Sequence, residues 1–177
     1  MKIRKLFYCA IIGVAITGSI FSCQKADSSE CEKMKIAEAK LNENIKNYET
    51  TWDAIVNQGK IELIDQKMFD KNVTLVSTPK NIVGIEAFKD YYKNFLVGFS
   101  GIKFTIIDTF GQDDRIVKHW RFEGKHTGVF FGIPATGKNV NIEGVTLVKM
   151  KNGKIMQEQD FMDNLEFMNQ LGIIPRQ

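Results

Sequence analysis

The spacing of apolar residues changes once along this chain. From Met34 to Gln58 they recur every three or four positions, with Leu41, Ile45, Tyr48, Trp52, Ile55 and Val56 on one stripe. That period predicts an amphipathic helix ended by Gly59, and it turns Tyr48 and Trp52 the same way. A short second helix is expected over 60–68, with Ile61, Ile64 and Met68 inward. "NVTLVST" (72–78) reads as a strand stopped by Pro79. A third helix is expected over 84–97, with Ile85, Phe88, Tyr92, Phe95 and Leu96 facing the core. Beyond residue 100 the period becomes two. Strands are predicted over 102–110, 115–131, 139–150 and 154–163, joined by the turn sequences "GQDD", "GIPATGK" and "KNG". "NLEFMNQLG" closes the chain with a turn or two of helix. Helices first and hairpin-connected strands afterwards describe an α+β domain, a curved antiparallel sheet packed on N-terminal helices with an open mouth.

The first 22 residues read as a targeting segment rather than as part of the fold. Lys2, Arg4 and Lys5 precede a short apolar run, Leu6 to Ile16, and "IFSC" then resembles a bacterial lipobox. The expectation is cleavage before Cys23 and lipid on that cysteine, followed by a tether over 23–36 and a domain over 37–177. An ordinary secretory signal with an incidental cysteine is the other reading. The lipobox implies a cell-envelope address, on the outer membrane in a Gram-negative cell. Charge changes meaning with it. The chain has 24 basic and 21 acidic side chains, and losing three lysines and arginines with the signal leaves 21 of each. A neutral mature chain lacks the electrostatic footprint of a nucleic-acid binder. Cys31 then stands alone in the tether, so no disulfide framework is expected.

"GKHTGVFFGIPATGK" (124–138) and "GKIMQEQDFMDNLEFMNQLG" (153–172) resemble the hairpin and the closing segment of SnoaL-like polyketide cyclases, also called ester cyclases. The resemblance spans roughly 45–173. Gln159 stands where that family usually has Trp, Ala135 replaces the second Pro of the loop, and Val129 sits where an acidic residue is common. The resemblance implies a nuclear-transport-factor-2-like cone with a deep apolar cavity. It also implies ring closure by aldol chemistry with no metal or cofactor. It places the general acid/base of the family on Asp163 and a hairpin histidine on His126.

The residues themselves allow two readings of each site. A carboxylate in an apolar cavity has its charged form disfavoured, so Asp163 beside Phe161, Met162 and Leu165 can exchange protons with carbon next to a carbonyl. Asp163 can equally cap the closing helix. Asp160 is the rival carboxylate, expected on the opposite strand face. His126 shares parity with Trp120, Phe122 and Gly124, while Arg121, Glu123 and Lys125 take the other face. His126 therefore points inward, to bind a substrate oxygen or orient Asp163, or simply to satisfy a backbone group. Tyr48, Trp52, Trp120 and Phe122 line a cavity for a flat apolar molecule or fill a core, and Thr146 is a polar side chain within an apolar strand. Two histidines on opposite faces do not make a metal site, and phosphate and dinucleotide loops are missing, so no cofactor is expected. Two functions follow. One is a proton-transfer enzyme acting on a small carbonyl compound. The other is a lipid-tethered module that binds a small apolar molecule without chemistry. A homodimer is left open.

Overall fold

The computed structural model describes residues 28–174. The expected signal segment and Cys23 lie outside them. Helix α1 runs from Ser28 to Asn57, so it begins inside the stretch read as a tether. Residues 29–40 are exposed, and burial starts with Asn44, Tyr48, Thr51, Trp52 and Ile55. The apolar stripe thus sets where the helix meets the sheet. The expected second helix shrinks to one 3-10 turn at Ile61–Leu63. Strand β1 spans Phe69–Leu75 and a two-residue strand β2, absent from the sequence reading, spans Ile82–Val83. Helix α2 covers Ile85–Gly98.

Four long strands follow: β3 (Phe99–Gln112), β4 (Arg115–His126), β5 (Asn139–Lys151) and β6 (Lys154–Met162), then helix α3 (Asn164–Leu171). The six strands form one sheet in the order β2-β1-β6-β5-β4-β3. All pairs are antiparallel except β1 with β6, which is parallel and departs from the expected antiparallel sheet. The reason is connectivity. α2 returns the chain to the far side, so β1 meets the last strand of the meander running in its own direction. Strand β4 also stops earlier than expected, at His126, because the chain turns into a loop closed by a Phe130–Ile133 bridge.

Two apolar clusters fill the space between sheet and helices. Tyr48, Trp52, Ile55, Phe69, Phe88, Ile116 and Met150 form the larger one, beneath α1 and α2. Phe99, Trp120, Phe122, Phe130, Val140, Phe167 and Leu171 form the other, toward α3. Gly172 ends α3 in the left-handed region at φ 72°, the cap glycine accepts most readily.

Candidate functional site

Strand register builds the site. Lys118 on β4 pairs with Thr146 on β5, and Thr146 pairs with Asp160 on β6, so three polar residues form a row across neighbouring strands. On one side of the row lie Ile116, Val148 and Glu158, on the other Trp120, Gly144 and Met162. Neighbouring strands are about 4.8 Å apart, which puts the Lys118 and Asp160 backbones about 10 Å from each other, close enough for one small molecule to meet both side chains. Gly144 is glycine because Trp120 lies over it. A Cβ there would run into the indole and come within 2.7 Å of the Phe161 carbonyl oxygen.

The row faces a cavity of about 70 Å³ between the sheet and α1 and α2. Its walls are apolar, from Ile55, Tyr91, Phe95, Phe104, Phe122 and Ile142, and its polar points include Lys118, Asp160 and Tyr92. That space is about half of the ~150 Å³ cavity that takes up a benzene ring, so a ligand of more than a few heavy atoms has to displace side chains.

A hydrogen-bond network stands behind the cavity wall. Tyr48 Oη donates to Glu158 Oε1 at 2.7 Å and Trp52 Nε1 donates to the same oxygen at 2.9 Å. Tyr92 Oη lies 3.1 Å from Glu158 Oε2 and 3.1 Å from Asp160 Oδ2. Thr146 donates to Asp160 Oδ1 at 2.6 Å and accepts from Trp120 Nε1 at 2.9 Å. Two arrangements of protons satisfy every bond, with the carboxyl proton on Glu158 or on Asp160. A phenol has a single proton, so Tyr92 donates to one carboxylate only. If Glu158 is a neutral acid, its Oε1 accepts two bonds, its Oε2 hydroxyl donates to Tyr92, and Tyr92 donates to Asp160 Oδ2. Burial favours the proton on Glu158. Burial pushes Glu158 above the ordinary carboxylate range; Lys118 opposes that shift and Asp160 adds to it. Burial, then the two carboxylates, holds Tyr48 and Tyr92 well above the usual phenol value, so both remain protonated donors.

Lys118 is 3 % exposed. Its Nζ sits 4.8 Å from the Trp52 ring centre, 5.0 Å from Tyr48 and 5.3 Å from Phe104. It takes part in none of the ion pairs among the described residues. Burial lowers its proton affinity below the lysine norm, while Glu158 and Asp160 pull it back up.

The structure sorts the expected residues. Trp52, Trp120 and Phe122 line the cavity; Tyr48 and Thr146 are fully buried behind it as hydrogen-bonding partners. Asp163 does not face it. It is exposed, at the N-cap of α3, accepting from the Glu166 backbone at 2.9 Å. The carboxylate in the cavity is its rival, Asp160. The cause is a bulge where β5 meets β6, near Met150 and Ile155, which resets the strand parity. Glu158, Asp160 and Met162 then turn inward, and β6 ends before Asp163. His126 is buried as expected, but in the other cluster. Its Nδ1 lies 3.0 Å from the Thr136 hydroxyl and accepts from the Thr136 backbone at 3.3 Å, its Nε2 has no partner among the described residues, and Phe99 and Phe130 pack on its ring. It ties down the 127–138 loop and is not among the cavity-lining residues. Sequence reasoning missed Lys118, although it shares parity with Trp120 and Phe122, and missed Glu158, whose orientation depends on the bulge.

A curved six-stranded sheet with an enclosed carboxylate, closed by helices on one face, defines the class. The chain belongs to the SnoaL-like polyketide cyclase family, whose model matches residues 46–171. Over 49 residues it is 39% identical to the aklanonic acid methyl ester cyclase DnrD of Streptomyces peucetius. That match spans 28% of this chain and 34% of the relative, so the chain aligns with about a third of the curated cyclase. TsrD from Streptomyces laurentii superposes with a TM-score of 0.67 at 21% identity, covering 74% of this chain and 96% of that one. A putative polyketide cyclase from Bacillus cereus superposes with a TM-score of 0.61 at 26% identity, covering 75% and 83%.

Proposed function

We propose that the cavity catalyses cofactor-free proton transfer at carbon next to the carbonyl of a small, largely apolar compound, the first step of an aldol-type cyclisation. The observation that carries this reading is Asp160: a carboxylate on an apolar cavity wall, fixed by Thr146 and Tyr92. Asp160 removes the proton, and the Glu158–Tyr92 pair behind it offers a route for redistributing that proton. Lys118 provides positive potential where negative charge develops on the substrate oxygen. The likeness to an ester cyclase supports the same class of reaction. The test is deuterium uptake at the α-carbons of pentan-3-one in heavy water. Acceleration above a buffer blank supports catalysis, and saturable binding without acceleration supports the non-catalytic binding module instead.

We also propose lipid attachment at Cys23 and a cell-envelope location, supported by the basic start, the apolar run and "IFSC". Such an address suits a protein that meets small apolar compounds at a membrane surface.

A further inference from the structure

Lys118 has an unusual setting for a lysine that serves only as a charge. An ammonium group taken out of water costs several kcal/mol unless a counter-ion lies against it. Here the amine is nearly sealed from solvent, belongs to no ion pair among the described residues, and lines an apolar cavity. Thr146 and Asp160 continue from it in one row across the sheet. A primary amine, an apolar space and an acid/base two strands away are the parts that carbonyl capture requires.

From this geometry we infer that Lys118 is a nucleophile that takes aldehydes or ketones as a Schiff base. The inference rests on the carbonyl-compound reading above and makes its first step covalent. The Nζ lone pair forms a C–N bond while the carbonyl π electrons move to oxygen. A proton passes from nitrogen to that oxygen, giving a carbinolamine. Asp160, holding the proton that the Lys118 ammonium gave up on becoming the free amine, protonates the hydroxyl, the C–O bond breaks, water leaves, and the nitrogen lone pair forms the C=N bond. The resulting iminium draws electrons from the adjacent C–H bond more strongly than a ketone does, and Asp160, now ionised, takes that proton. Hydrolysis returns the free amine. Atoms and electrons balance without an oxidant or reductant. Burial also enlarges the fraction of unprotonated amine, as the step needs.

The test treats the full chain with one equivalent of pentane-2,4-dione, which condenses with a free amine to a stable enaminone with loss of one water. Peptide mapping by mass spectrometry should place a single adduct on Lys118, formed on the order of tenfold faster than on any surface lysine. Lys118→Arg keeps the charge and should abolish that adduct. Should Lys118→Arg fail to fold, the wild-type map decides alone, and Asp160→Asn should slow the adduct while leaving its position unchanged. Adducts scattered over surface lysines with Lys118 unmodified would overturn the inference. An adduct at Lys118 without deuterium uptake into pentan-3-one keeps it and removes the proton-transfer reading. Uptake without an adduct does the reverse.

Discussion

The Thr146 hydroxyl lies 2.6 Å from Asp160 Oδ1, and the two residues are direct partners across β5 and β6. The same hydroxyl accepts from Trp120 Nε1, so one small side chain fixes both the carboxylate and a cavity wall. Thr146→Val keeps the shape and removes both bonds. It should cost about 1–3 kcal/mol, because the indole N–H is left buried and unpaired. Thr146→Ser should restore most of the stability. Chemical denaturation of the two variants side by side checks this.

The Lys118 and Glu158 pair sets a pH dependence whose sign can be worked out. Glu158 is raised above its ordinary 4.5 by burial first. The folded state therefore holds its proton more tightly than the unfolded state. Its contribution to stability is full below that ordinary value and is lost as pH rises through the folded value. Lys118 is depressed, so it costs stability while protonated, and that cost fades as pH rises toward 10.5. Lys118 opposes the rise of Glu158 without cancelling it. Lys118→Met removes a buried charge that costs stability while protonated, so it should leave stability unchanged or raise it near neutrality and should flatten the rise with pH that Lys118 causes. Glu158→Gln keeps a neutral group there and should remove the loss of stability that Glu158 causes at higher pH. Urea unfolding at about pH 5 and about pH 8 measures both.

Asp163 caps α3 through one bond to the Glu166 backbone. Asp163→Ala should cost about 1 kcal/mol, and Asp163→Asn only a small part of that, since Asn is an equally good cap. Thermal melts of the two proteins give the comparison.

The lipid anchor proposed for Cys23 predicts that the wild-type protein partitions into detergent and that Cys23→Ser accumulates uncleaved precursor. Water-soluble wild-type protein insensitive to a lipoprotein signal-peptidase inhibitor would contradict it.

The change of period near residue 100 made the helix-then-sheet order legible, and the Tyr48–Trp52 stripe correctly marked the buried face of α1. What was hidden has a common cause. Strand parity reads correctly only between irregularities, and the bulge near Ile155 decides which carboxylate of "EQDFMD" faces inward. The resemblance pointed to Asp163, and counting parity forward from Ile155 without that bulge would also have turned it inward. Lys118 was concealed differently. Its parity was right, but a lysine on a strand is usually a solvent residue, and only the row it forms with Thr146 and Asp160 shows otherwise. His126 was legible as buried but not as belonging to the Phe99–Phe130 cluster, since the loop that carries Thr136 and Phe130 has no periodic signal.

The central claim is that Asp160, and not Asp163, is the base of this site. The most direct measurement is deuterium uptake into pentan-3-one by Asp160→Asn and Asp163→Asn in parallel, with folding verified by circular dichroism. Removing a positioned general base costs about 10²–10⁴-fold in rate. Asp160→Asn should lose activity on that scale, and Asp163→Asn should match the wild type. The opposite pattern, with Asp160→Asn active and Asp163→Asn inactive, would contradict the account.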